Sequence, residues 1–260
     1  MSNFDELVAL VATLRSEGGC PWDLEQDHQS MVPYLIEEAY EVVDAIESGS
    51  DEDLAKELGD LLFQVVFHAR LGDERDAFDI QSVSARIRDK MIVRHPHVFG
   101  TGEEDEVDPG SVGAWEARKA KERGDRSMMD GIPRHLPALL RAHRVGEKVS
   151  RVGFDWPSLD EVLKKIDEEL GELREAIAAG NQADVEHEYG DLLLATANAG
   201  RFVGIGSEEA LRQANDRFAR RFRVVEALAR EAEISLFEAD TDTLESLWDA
   251  AKRIEQSSGT

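Results

Sequence analysis

Eight carboxylates stand out by their spacing. Glu38 and Glu41 are followed by Glu57 and Asp60, and 131 residues further on Glu169 and Glu172 are followed by Glu188 and Asp191. A lone Glu-x-x-Glu carries no weight in a chain with 55 acidic residues among 260. The repeat does, because its neighbours match in one register without a gap: Ala45 with Ala176, Gly49 with Gly180, Gly59 with Gly190, Leu61 with Leu192, and Arg70 with Arg201. Self-similarity at one fixed offset is the mark of a duplicated structural unit.

On a helix, residues three apart share a face, so each pair forms one acidic edge. A short loop between two such helices makes an antiparallel hairpin, which brings both edges into a four-carboxylate cluster. Two bare anions 5 to 6 Å apart repel by roughly 3 kcal/mol at an effective dielectric near 20. A cation is therefore expected. All-oxygen ligation points to Mg²⁺ or Mn²⁺ in preference to zinc. Gly59 and Gly190 fall inside expected helices, where glycine costs about 1 kcal/mol relative to alanine. Close approach of a partner helix or a ligand is the expected compensation.

Apolar residues recur at three- and four-residue spacing almost throughout, which predicts an all-α fold. The first helix should carry Phe4, Leu7, Val8, Leu10, Val11 and Leu14 and stop at Gly18-Gly19. Further helices are expected over about 34–47, 50–72 and 80–93, with a Gly/Pro-rich loop over 95–113 and a short helix from Trp115. Ser50 with Asp53 and Ser158 with Glu161 read as capping boxes. In the second half the pattern predicts helices over about 138–150, 159–179, 182–203, 208–231 and 243–255. The expected organisation is a first helical-bundle domain over 1–125, a linking segment over 126–150 that contains the helix from Ala138, and a second domain over 151–260.

The formal charge of −25, from 55 acidic against 30 basic residues, disfavours nucleic acid and anionic membranes as partners. Every apolar stretch is interrupted by charges well short of the roughly 20 residues of a membrane span. The start of the chain lacks the pattern of a signal peptide, and Cys20 has no intrachain disulfide partner, so a reducing, cytoplasmic location is expected.

At Glu-x-x-Glu followed by Glu-x-Gly-Asp-Leu-Leu the sequence resembles the MazG family. The resemblance extends to Gly19-Cys20-Pro21-Trp22-Asp23, to Arg94-His95-Pro96-His97-Val98-Phe99, to Val152-Gly153-Phe154-Asp155-Trp156, and to Ala214-Asn215-Asp216-Arg217-Phe218 through Arg221-Phe222. It implies two tandem MazG-like domains and hydrolysis of a nucleoside triphosphate to the monophosphate and pyrophosphate. It also implies metal ligation by Glu169, Glu172, Glu188 and Asp191, which are the expected catalytic residues, and by Glu38, Glu41, Glu57 and Asp60 in the first copy. Lys165, Arg217, Arg220, Arg221, Trp248 and Lys252 are the implied nucleotide contacts, and a homodimer is the implied assembly. In the first copy Lys90, Arg94, Trp115 and Lys119 occupy the places of Arg217, Arg221, Trp248 and Lys252. There Pro96 ends the helix and one arginine is lost, so the second copy is expected to be the main catalytic centre. His95 and His97, flanking a proline, are not expected to be metal ligands.

Two other readings fit parts of the pattern. A ferritin-like di-metal oxidase also buries acidic helices but pairs two Glu-x-x-His motifs, whereas only Glu25 with His28 supplies one here. A non-catalytic helical regulator, sensing nucleotides or binding a protein, would retain the clusters without turnover. A Walker-type ATPase is disfavoured because the chain has no Gly-x-x-x-x-Gly-Lys-Ser/Thr loop.

Overall fold

The computed structural model describes residues 2–100 and 127–258, and the chain divides into two compact units, Met1–Gly124 and Asp125–Thr260. The described residues form helices without strands, as the periodicity predicts.

In the first unit, α1 (Asn3–Leu14) starts at a reciprocal capping box in which Ser2 and Asp5 satisfy each other's backbone N–H. It ends four residues before the glycine pair. Gly18 and Gly19 instead shape the turn behind it: Gly18 has φ +84°, and a Cβ on Gly19 would lie 2.3 Å from the Leu14 carbonyl oxygen. One turn of helix, α2 (Pro21–Glu25), follows.

Helices α3 (Val32–Ser48) and α4 (Asp51–Asp73) form the expected hairpin, turning through Gly49 at φ +72°. Ser50 caps α4 by accepting from the Asp53 N–H, but its own N–H donates to Ser48 Oγ, so the cap works in one direction only. Helix α5 (Ile80–Arg94) stops before Pro96, where α6 (Pro96–Phe99) begins. The start of the expected 95–113 loop is thus helical. Proline suits a first helical turn, and Gly100 at φ +67° closes it. The remainder of that loop, with Trp115 and Lys119, lies outside the described residues.

Val11, Met31, Val66, Phe67 and Leu71 make the core of this unit, surrounded by Phe4, Leu7, Val8, Phe63 and Ile80. Arg15 is buried beside it, donating to Glu74 at 2.9 and 3.0 Å and to the carbonyls of Asp23 and Gln26. This ties α1 to the Trp22-Asp23 motif and to the end of α4.

In the second unit, α7 (Ala138–Ser150) packs against α9 (Gln182–Phe202) and α10 (Ser207–Glu231). The helix from Ala138 is therefore part of the second unit's packing as well as its entry. Gly146 permits that contact, since a Cβ there would lie 2.3 Å from Asn198 Oδ1. Helix α8 (Leu159–Ala179), capped one-way by Ser158 on the Glu161 N–H, pairs with α9 through Gly180 at φ +72°. This hairpin repeats α3–α4 with the same turn geometry. Helix α11 (Thr241–Ser258) packs on α10. No described helix is long and apolar enough to cross a membrane.

Candidate active site

Each hairpin brings its carboxylates together. In the first unit one oxygen each from Glu38 of α3 and from Glu57 and Asp60 of α4 lie within 4.8 Å of one another. In the second, oxygens of Glu169 and Glu172 on α8 and of Glu188 on α9 do the same. Asp191 joins a different triad on α9, with Glu188 and His187. Glu41 stands beside Glu57. Partial loss of water, then the charges of Glu57 and Glu38, push its carboxyl above the ordinary value. Partial loss of water and the charges of Glu169 and Glu188 raise Glu172 likewise. Such crowding is the repulsion that a bound cation relieves.

Two details test whether the residues fit a divalent ion. Glu57 Oε2 is buried and has no hydrogen-bond partner, a costly state for a carboxylate oxygen and one that a metal–oxygen bond would relieve. The donors facing one another across both hairpins are oxygens, the set that hard cations take. The clusters fit.

The cations are distributed unequally. Lys165 sits one turn before Glu169 on α8, its ammonium 2.7 Å from both Glu168 and Glu169. Those two hydrogen bonds hold its pKa well above the ordinary lysine value. On α10, Arg217 and Arg220 are exposed and make no ion pair among the described residues. Arg221 pairs with Glu255 of α11, and its guanidinium carbon lies 5.9 Å from the Trp248 ring centroid. Trp248 is half-buried against Phe218, centroids 4.9 Å apart. Lys252 is paired with Asp249 at 2.6 Å. In the first unit Lys90 is exposed on α5, and His95 Nδ1 bonds the Met91 carbonyl at 2.7 Å, closing the end of that helix.

The glycines of the repeated Glu-x-Gly-Asp lack one of their two expected neighbours, a partner helix. A Cβ on Gly59 or Gly190 would meet nothing within 4 Å, so no helix of the described chain packs closely there. His28, the histidine of the lone Glu-x-x-His, is taken up by His68 and Arg75, at 2.8 Å each. Because Arg75 is always a donor, His28 Nε2 must accept and its Nδ1–H must point to His68 Nδ1. No iron-type triad includes it among the described residues.

Two contacts were not anticipated from the sequence. Asp155 of the Val-Gly-Phe-Asp-Trp motif is held bidentately by Arg201, at 2.8 and 2.5 Å, which pins the loop before α8 to the end of α9. His187 places Nδ1 3.4 Å from both Glu188 and Asp191. Its position immediately before Glu188 and four before Asp191 was the available signal.

Fold and site together define a class: a duplicated all-α hairpin protein whose acidic clusters suit divalent-metal chemistry. The MazG nucleotide pyrophosphohydrolase domain matches residues 26–99 and again 158–225. The chain is 43% identical to the nucleoside triphosphate pyrophosphohydrolase of Escherichia coli K12, over 98% of this chain and 99% of that protein. It is also 43% identical to the Thermotoga maritima nucleoside triphosphate pyrophosphohydrolase/pyrophosphatase MazG, over 96% of this chain and 95% of that one. A Mycolicibacterium smegmatis nucleoside triphosphate pyrophosphohydrolase matches at 40% identity, across 57% of this chain and 46% of its own length. The chain belongs to the MazG family of nucleotide pyrophosphohydrolases.

Proposed function

We propose that this nucleoside triphosphate pyrophosphohydrolase cleaves its substrates between the α and β phosphates in a Mg²⁺-dependent reaction, with its main catalytic centre in the second unit. The observation that carries this reading is the convergence of Glu169, Glu172 and Glu188 across the α8–α9 hairpin, in a unit that also exposes Arg217 and Arg220.

Glu169, Glu172, Glu188 and Asp191 would hold the ion, and Mn²⁺ suits the same donors. When bound, the ion supplies positive charge to the phosphate oxygens and acidifies water. The remaining work belongs to the chain. Glu169 is buried and locked by Lys165, so the first acidic edge is positioned before substrate arrives. Arg217 and Arg220 are available to offset triphosphate charge, and Lys165, one-third exposed, provides a cation beside the cluster. Arg221 and Trp248 form a cation–aromatic pair with a half-buried ring, a surface suited to a nucleobase. Lys252 adjoins this helix face. A water oxygen bonds to phosphorus while the bridging oxygen leaves, one carboxylate of the cluster accepting the water's proton. Pyrophosphate and the monophosphate are the products.

The first unit's Glu38, Glu41, Glu57 and Asp60 would form a second ion site with one arginine fewer on the following helix, because Val93 stands where the second unit has Arg220. Tyr34, Ile36 and Tyr40 of α3 and Leu58 and Leu62 of α4 are exposed, an apolar surface that supports homodimer formation. The expected setting is the cytoplasm.

The test is pyrophosphate release from a panel of triphosphates by the full chain, Glu172→Ala and Glu41→Ala. Glu172→Ala should lose at least about 100-fold in kcat, on the scale of removing a major electrostatic contributor to the transition state. Full retention of activity in Glu172→Ala would overturn the choice of centre, and orthophosphate as the primary product would overturn cleavage at the α–β bond.

A further inference from the structure

Two residues of α11 restrain Arg221 of α10. The Trp248 ring centroid lies 5.9 Å from its guanidinium carbon, and its Nε–H donates to Glu255 Oε2. Glu255 follows Trp248 by about two helical turns, so both stand on one face of α11. Ala251, between them on that face, is fully buried, which marks it as the face packed on α10.

The pairing divides the guanidinium. Arginine carries its N–H donors in a rigid planar fork. Glu255 takes the Nε edge, and the terminal Nη groups hydrogen-bond to nothing among the described residues. Those terminal groups are a pair that can grip phosphate oxygens side by side. A carboxylate standing in the place of phosphate would engage the Nη fork. One that takes Nε leaves the fork open and fixes its plane. Glu255 is also poorly placed for its own helix, since it lies near the C-terminal end of α11, where the helix dipole opposes a carboxylate. Its favourable interaction is with its partner across the helix pair.

We propose that Glu255 is a positioning residue for the reaction: by accepting from Arg221 Nε it holds the guanidinium beside Trp248 with the Nη fork free for the phosphate oxygens of the nucleotide. This rests on the reading of Arg221 and Trp248 as nucleotide contacts and adds the group that sets their geometry. Glu255 acts through Arg221, without touching the substrate. The sign of its effect separates this role from simple electrostatics. A carboxylate near a triphosphate repels it, so charge alone predicts tighter binding once Glu255 is removed. Positioning predicts weaker binding.

The experiment is steady-state pyrophosphate release in Mg²⁺ from the triphosphate that the wild type hydrolyses fastest. The full chain is compared with Glu255→Gln, Glu255→Ala, Arg221→Ala and the double variant Glu255→Ala/Arg221→Ala. Glu255→Ala should lower kcat/KM by about tenfold, chiefly through KM, the lower end of what a hydrogen bond to a charged group contributes. Glu255→Gln keeps an acceptor for the Nε–H without the charge and should stay within about threefold of wild type. In the Arg221→Ala background, removing Glu255 should change kcat/KM by less than about twofold, because nothing is left for it to position. A role confined to holding α11 on α10 would give the same loss in both backgrounds, and that result overturns the proposal. A lowered KM in Glu255→Ala overturns it too, since the carboxylate would then be a competitor of the phosphates. So does full kcat/KM in Glu255→Ala alongside an impaired Arg221→Ala. Failure of the underlying reading looks different: Arg221→Ala would itself be unimpaired, and the positioning role would fall with the nucleotide contact.

Discussion

Replacing Gly190 by alanine should stabilise the metal-free protein. Gly190 lies in the interior of α9, has no left-handed φ, and an added Cβ would meet nothing within 4 Å. The substitution therefore gains alanine's helix preference, about 0.8–1 kcal/mol, with no steric cost to subtract. For a cooperative unit of this size that corresponds to a rise in Tm of about 2–4 °C. Gly146→Ala provides the opposite case on the same scaffold. Its Cβ would fall 2.3 Å from Asn198 Oδ1 and 3.0 Å from Arg201 Nε. Asn198 is buried and held by its amide on the Leu194 carbonyl, so moving it costs an overpacking strain of about 1–3 kcal/mol. The loss of about 1 kcal/mol per hydrogen bond adds to that strain. Even after the helix-preference gain, Gly146→Ala should be destabilised by about 1–3 kcal/mol. Urea unfolding in EDTA, followed by tryptophan fluorescence, measures both. Destabilisation of Gly190→Ala by more than about 1 kcal/mol would refute the reasoning, because the glycine would then be in close contact with something other than the chain described here. If a ligand does approach that backbone, Gly190→Ala should raise KM for the triphosphate even as it raises Tm.

Arg201 holds the Asp155 carboxyl below its ordinary value, so the pair contributes stability above about pH 4, the unfolded aspartate range, and loses it as pH falls through the folded value. Asp155→Asn should lower stability by about 1–2 kcal/mol at pH 7 and flatten the acid limb of a Tm-versus-pH curve, whereas an unchanged acid limb would sink this account. Arg15→Met should cost about 1–3 kcal/mol, because it removes the buried donor to Glu74 and to the Asp23 and Gln26 carbonyls, although Arg70 still pairs with Glu74; chemical denaturation checks this, and no loss of stability would contradict it. Trp248→Ala should raise KM for triphosphates more than it lowers kcat, and the reverse split in steady-state kinetics would remove the ring from the nucleotide surface.

The hairpins and their acidic edges were legible because they are local: helix period, turn glycine and carboxylate spacing all lie within about 30 residues of one another. Gly49 and Gly180, matched in sequence, indeed adopt the same left-handed turn. What escaped was set by partners distant in sequence or by competition between nearly equal local bonds. The Ser50 cap is one-way because the Ser50 N–H finds Ser48 Oγ instead of Asp53, two options that the sequence leaves close in energy. Gly18-Gly19 was correctly read as a break, but α1 ends at Leu14 and the glycines form the following turn. The short helix after Pro96 was hidden among loop-forming residues, although proline at a first turn and glycine at the end are its usual signals. The Asp155–Arg201 pair joins residues 46 apart and has no local signature. The glycines of the Glu-x-Gly-Asp motif were expected to face a partner helix or a ligand, and their empty surroundings remove the helix of the described chain from that pair of alternatives.

The duplicated register also shows how two copies can keep one geometry and diverge in chemistry. Selection on the hairpin preserves the residues that bend it and bring the acids together, and these are nearly identical in both units. One helical turn beyond the acids the copies part. Gln64 and His68 of α4 correspond to Ala195 and Ala199 of α9. Gln64 Oε1 and His68 Nε2 are buried without hydrogen-bond partners, whereas the alanines make no such demand. Leaving two polar atoms unsatisfied costs about 1–3 kcal/mol each, a penalty that α4 carries at these two positions and α9 does not. The copies differ also in where their cations stand: Lys56 pairs with Glu57 on α4, whereas in the second unit the lysine, Lys165, pairs with Glu169 on α8 and His187 takes the place of Lys56. Equal spacing therefore does not give equal surroundings: the motif specifies where the acids meet, while the residues flanking it set the charge and polarity around each cluster.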